Sequence, residues 1–145
     1  MASGLKPDAE GPADPGQSEA GVRPDSLNPL TLAYIGDAVY ELYVRERIIR
    51  AGEMSPGKMN RAAVGKVRAE AQAALVDQLE PLFTDEEADV YRRGRNAKSH
   101  THAKHASLAD YHKATGLEAV LGYLYLKDNV ARIQELLEKG QDQPK

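Results

Sequence analysis

The stretch that decides the fold runs from Leu30 to Leu42, LTLAYIGDAVYEL. Asp37 sits in its middle, among Ala33, Tyr34, Ile35, Ala38, Val39 and Leu42, directly after a helix-weakening glycine, Gly36. An ionised carboxylate taken out of water costs on the order of several kcal/mol unless it is paired or binds a cation. Leucine or alanine would serve a purely structural segment better, so Asp37 is a candidate functional residue. In front of it, Asn28-Pro29 reads as an N-cap followed by proline at the first helical position. A long helix is expected from there to Arg50, closed by Ala51-Gly52. Its first half is apolar nearly all round, as in a central packed helix, and its second half is amphipathic.

The rest of the chain continues in helical periods. Ser55-Pro56-Gly57 is a turn, and 58–80 carries Ala, Leu and Val at helical spacing up to Pro81, with a break expected near Gly65. Thr84 to Glu87, TDEE, is a capping box that opens a short helix to about Asn96. Residues 97–108 read as a loop, 111–127 as a helix, and 128–139 as a last helix stopped by Gly140. No segment alternates with period two. The expected fold class is all-α, with one domain over 27–140, a disordered acidic tail at 1–26 and a frayed end at 141–145.

A chain of 145 residues is long enough to bury one core without staples. It has no cysteine, which excludes disulfides and thiolate metal sites and is compatible with a reducing cytoplasm. No apolar run approaches a membrane span and nothing resembles a signal peptide, so a cytoplasmic location without membrane association is expected. Of the 22 acids and 19 bases, five and two fall in residues 1–26, so the remaining 119 residues carry 17 of each. That tail, rich in Gly, Pro, Ala and Ser, has too little apolar surface to offset its ordering entropy.

Glu118 repeats the puzzle of Asp37, within LEAVLGYLYL. Each acid has a glycine close by, Gly36 before Asp37 and Gly122 one turn after Glu118. A mid-helix glycine costs about 1 kcal/mol against alanine, so the pair suggests two helices crossing in close backbone approach. Such a crossing brings Asp37 and Glu118 to one point. Hard oxygen ligands converging there suit Mg²⁺, held by one or two carboxylates plus waters and substrate phosphates. The alternative on spacing alone is that a buried arginine or tyrosine hydroxyl caps each acid. Glu41, one turn beyond Asp37, fits an i, i+4 partner of Arg45 or a residue behind the metal ligands better than a direct ligand.

From Val90 to Ala109 there is no acid, while Arg92, Arg93, Arg95, Lys98, Lys104 and three histidines fall in the window. Such a cluster in a neutral domain suits phosphate contacts, with Arg93, Arg95, Asn96 and Lys98 as the candidate RNA-backbone residues. A solvated helix end with bases near its C-terminus is the alternative. His100, His102 and His105 lack the acid or cysteine that would complete a zinc site, and read as surface residues or titratable phosphate contacts.

LAYIGDAVYEL, RRGRNAKS and GLEAVLGYLYL, in this order, resemble the catalytic domain of ribonuclease III over residues 27–139. The closer resemblance is to the Mini-ribonuclease III family, which has that domain without a double-stranded-RNA-binding domain. The resemblance implies a Mg²⁺-dependent endonuclease acting on double-stranded RNA as a homodimer, with an all-helical fold and 5′-phosphate products. It further implies trimming of large-subunit (23S) ribosomal RNA precursor, with a ribosomal protein as a possible aid to substrate delivery. Asp37 matches the catalytic aspartate of the GDA motif, and Glu118 the metal-binding glutamate of the second motif.

The chain departs from the longer ribonuclease III pattern at three places. Leu30 and Ala33 stand where that pattern has glutamates, and Thr115 where it has an aspartate. These departures favour a single Mg²⁺ on Asp37 and Glu118 over a two-metal carboxylate cage. The rival reading is a non-catalytic double-stranded-RNA-binding or ribosome-assembly module on the same fold.

Overall fold

The computed structural model describes residues 22–52, 57, 65–98 and 107–141. Among the described residues five α-helices carry the fold: α1 (Pro29–Arg50), α2 (Gly65–Leu79), α3 (Asp85–Asn96), α4 (Leu108–Leu126) and α5 (Val130–Gln141). Single 3₁₀ turns precede α1 (Pro24–Ser26) and link α2 to α3 (Glu80–Leu82), and no strand occurs among the described residues. The all-α expectation holds.

Local chemistry sets the boundaries. The Asn28 side chain accepts from the Leu30 N–H at 2.7 Å, with Pro29 at the first helical position. Gly52, at φ +81°, supplies the left-handed residue after α1. At α3, Thr84 and Glu87 exchange both bonds of the expected capping box. Glu87 is buried and also receives two bonds from Arg132 of α5, at 2.9 and 2.8 Å, tying these helices together.

Helix α4 is the centre of the molecule. It packs on α1, α2, α3 and α5, and everything from Ala114 to Leu124 except Glu118 is buried. Leu32 and Val39 of α1, Val76 and Leu79 of α2, Val90 and Tyr91 of α3 and Ile133 and Leu136 of α5 close the core around it. The central, fully packed role expected of α1 therefore belongs to α4. Helix α1 buries one side and leaves Tyr34 84% and Leu42 63% exposed.

Other boundaries moved for identifiable reasons. Ser107 caps the Asp110 N–H, so α4 starts inside the stretch read as a loop. Asp128 adopts φ +61° in the α4–α5 turn, so the last helix begins at Val130 and not at 128. Gly140 does not stop that helix. It lies within it because a side chain there would clash with Leu75, a Cβ falling 2.1 Å from its Cδ1. Within the expected tail, Asp25 accepts from the Tyr123 hydroxyl at 2.8 Å, which holds the Pro24–Ser26 turn on α4. The Ser55-Pro56 turn, residues 58–64, the three loop histidines, 1–21 and 142–145 lie outside the described residues. No described helix is long and apolar enough to cross a membrane.

Candidate active site

The site forms where α1 crosses α4, and small residues make the crossing possible. A Cβ at Gly36 would lie 1.7 Å from the Glu118 carbonyl oxygen, and one at Gly122 would lie 2.0 Å from that of Leu32. Each glycine thus accepts the opposing backbone, as the paired-glycine spacing suggested. The acids flanking this contact, Asp37 and Glu118, line one open groove together with Tyr34, Tyr111 and Thr115.

The two carboxyl groups differ in environment. Asp37 is half-exposed at 49%, so it stands at the groove's rim and not in an apolar interior. Glu118 lies deeper, partly buried within the otherwise enclosed run of α4. Burial, opposed by the Gln72 amide and reinforced by the charge and hydrogen bonding of Asp37, pushes its carboxyl up to about 7. Two acids in such contact repel when both are ionised, and a shared divalent cation relieves that repulsion.

Helix α2 supplies two residues that sequence reasoning missed. Arg68 donates to Asp37 Oδ1 at 2.6 Å and to the Asp37 carbonyl at 3.3 Å, and its guanidinium lies 5.5 Å from the Tyr40 ring. Gln72, 2% exposed, donates from Nε2 to Glu118 Oε2 at 2.9 Å. The available signal was their i, i+4 spacing, which puts both polar groups on one face of an Ala-rich helix. The arginine-cap alternative is thus realised at Asp37, while Glu118 has a neutral amide.

Glu41 pairs with Arg45 one turn on, Nε to Oε2 at 3.0 Å, and this bond holds its carboxyl below the usual carboxylate range. Arg68 Nη1 approaches Glu41 Oε1 at 3.9 Å, which places Glu41 behind Asp37. Thr115, standing where the longer ribonucleases have an acid, spends its hydroxyl on the Tyr111 carbonyl at 3.0 Å.

The donor set fits Mg²⁺. Asp37 and Glu118 offer carboxylate oxygens, and among the described residues no cluster of three or more His, Cys, Asp or Glu forms a closed metal cage. Two carboxylates with remaining positions left to water and phosphate suit this ion.

The basic run approaches from α3. A Cβ at Gly94 would lie 2.8 Å from Ala119 Cβ and 3.3 Å from the Thr115 carbonyl, so α3 crosses α4 at the turn that carries Glu118. Of the four candidate residues, Arg93 donates to Asp89 at 3.2 Å, and Arg95 stands 5.8 Å from the Tyr91 ring and 3.4 Å from Asn96 Oδ1. Lys98 is exposed just beyond the helix.

This helical arrangement and its ordered motifs are those of a ribonuclease III domain, and the Ribonuclease III domain family matches residues 30–129. Mini-ribonuclease 3 of Symbiobacterium thermophilum is 48% identical over 119 residues, covering 82% of this chain and 92% of that protein. Mini-ribonuclease 3 of Staphylococcus aureus is 46% identical over 115 residues, with 78% and 86% covered. A crystal structure of a Fusobacterium nucleatum protein superposes with a TM-score of 0.70 at 26% identity, covering 78% of this chain and 92% of that one. The chain belongs to the ribonuclease III family of endoribonucleases, within its Mini-ribonuclease III branch.

Proposed function

We propose that the protein is a Mg²⁺-dependent endoribonuclease that cleaves double-stranded RNA, with large-subunit (23S) ribosomal RNA precursor in the cytoplasm as its substrate. The observation that carries this reading is the meeting of Asp37 and Glu118 in one groove, beside the basic end of α3. Asp37 and Glu118 hold the cation. When bound, the ion neutralises charge on the scissile phosphate and acidifies the attacking water. Arg95 and Lys98 contact the RNA backbone, with Arg93 and Asn96 beside them. A-form RNA is recognised largely by shape, phosphates and 2′-hydroxyls, so duplex geometry outweighs base sequence in selection.

The proposed assembly is a homodimer. Tyr34, Ala38, Leu42 and Ile49 are exposed within one narrow arc of α1, and Asp37 borders that stripe. The Glu41–Arg45 pair interrupts this otherwise apolar stripe, which marks an interaction surface, and a second copy seated there lies next to the groove. Delivery of the precursor by a ribosomal protein is part of the same proposal.

The deciding experiment incubates the purified protein with precursor 23S ribosomal RNA and with a generic RNA duplex, in Mg²⁺ or in EDTA. Discrete products with 5′-phosphates in Mg²⁺ only are expected. Duplex binding without any cutting in Mg²⁺ points instead to the non-catalytic module.

A further inference from the structure

The bonds from α2 have a regular distribution. Arg68 engages Asp37 through Oδ1, and Gln72 engages Glu118 through Oε2. One oxygen of each acid is thereby fixed from the same helix face, and among the described side chains of α2 none engages Asp37 Oδ2 or Glu118 Oε1. The two donors lie one turn apart on a helix that packs directly on α4, so the hold on both acids is set by a rigid element. Metal-binding carboxylates are commonly oriented by such partners, whose loss typically lowers metal affinity about 10–100-fold.

We propose that Gln72 is a positioning residue for Glu118, which makes α2 the third structural element of the metal site. This inference rests on the nuclease reading above. Gln72 is buried, its neutral amide can both donate and accept hydrogen bonds, and the structure directs its N–H₂ at a carboxylate oxygen. A structural helix would place leucine or alanine at such a position. An aspartate or glutamate there would add a third negative charge, and lysine would compete with the cation. A neutral donor orients the acid without either effect. Arg68 orients Asp37 in the same way but carries charge, so its removal mixes lost orientation with relief of cation repulsion. Gln72 gives the clean test.

The experiment compares the parent protein with Gln72→Met, which keeps the volume and removes the donor. Melting temperature is followed against Mg²⁺ concentration without RNA, and kcat and KM for duplex RNA are measured across the same range. The expected result is a Mg²⁺ midpoint raised about 10-fold or more, with kcat restored at saturating Mg²⁺ and KM for RNA unchanged. A merely structural glutamine would lower the melting temperature equally at every Mg²⁺ concentration, and that outcome overturns the proposal. Should Gln72→Met not fold, Gln72→Asn is read in its place, since it keeps the amide but withdraws it by one methylene. An unchanged midpoint in the folded variant rejects the role of Gln72 alone. A parent protein with neither a Mg²⁺-dependent melting shift nor cleavage rejects the nuclease reading and this inference together.

Discussion

Gly36 lies against the backbone of Glu118, so closely that a methyl group at position 36 would fall 1.7 Å from the Glu118 carbonyl oxygen. The obstacle is backbone, which cannot swing aside as a side chain would. Gly36→Ala therefore forces α1 and α4 apart at the point where both acids are presented. Overpacking of this sort costs about 1–3 kcal/mol, and more where backbone must move. A fall in melting temperature of roughly 10 °C is expected, read by circular dichroism. Cleavage measured well below the new melting point should also fall, because the separation of Asp37 from Glu118 widens.

Asp37→Asn tests the catalytic assignment with little change of shape. The amide keeps the volume but loses the charge that pairs with Arg68 and that the proposed mechanism assigns to holding the cation. Cleavage of duplex RNA in Mg²⁺ is expected to fall by at least about 100-fold, the scale seen when one catalytic electrostatic contact is removed. Duplex binding in a gel-shift assay should stay within about threefold, since the basic residues are untouched. Parental cutting rates in this variant would remove Asp37 from the mechanism.

Glu118 makes metal-free stability depend on pH. Burial first, opposed by Gln72 and reinforced by Asp37, raises its carboxyl from 4.5 to about 7 in the folded protein. The folded state thus holds a proton that the unfolded chain releases between those values. Stability is full below pH 4.5 as far as this group is concerned, and declines as pH rises through the window to about 7. The loss is on the order of 2–3 kcal/mol. In EDTA, Glu118→Gln should flatten this part of the profile and melt higher than the parent at pH 8. Added Mg²⁺ should narrow or reverse that gap by stabilising the ionised parent.

The elements that sequence reading located well were those with self-contained local chemistry. Asn28-Pro29, the Thr84–Glu87 box and the apolar periods each specify an element without reference to the rest of the chain. The paired glycines also revealed the crossing of α1 and α4, because a glycine inside an apolar helix has few other uses. Burial was harder to read. Residues 30–42 and 117–126 are comparably apolar, yet α4 is enclosed and α1 is open on one side, a difference created by which helices pack around each. The ligand-orienting role of α2 was hidden for the same reason. Arg68 and Gln72 gain meaning only once α2 is placed against α1 and α4. The end of α3 near Glu118 was equally invisible, since it depends on the Gly94–Ala119 contact.

The basic end of α3 divides by its existing partners. Arg93 is committed to Asp89, whereas Lys98 is exposed with no acid among its described contacts. Lys98→Ala is expected to weaken duplex RNA binding similarly for unrelated sequences and to reduce the log–log salt slope by about one. Arg93→Ala should do less, because its guanidinium is already engaged by Asp89, a carboxylate that it shares with Arg92. Binding isotherms from low to moderate salt on two duplexes of different sequence check both statements.

Leu42 tests the assembly. It is 63% exposed in the same α1 arc as Tyr34 and makes no contribution to the buried core of the single chain. A charge at this position costs the isolated fold little, since surface substitutions usually stay within about 0.5 kcal/mol. In the proposed homodimer the same charge meets its symmetry mate's apolar surface and loses water, with the neighbouring Arg45 already paired with Glu41, a penalty on the order of several kcal/mol. Leu42→Glu should therefore shift the protein from dimer to monomer in analytical ultracentrifugation while retaining parental helicity. Cleavage should fall with dimer content and recover partly at high protein concentration. An unchanged sedimentation coefficient at dimer mass would place the subunit contact elsewhere than on this face of α1.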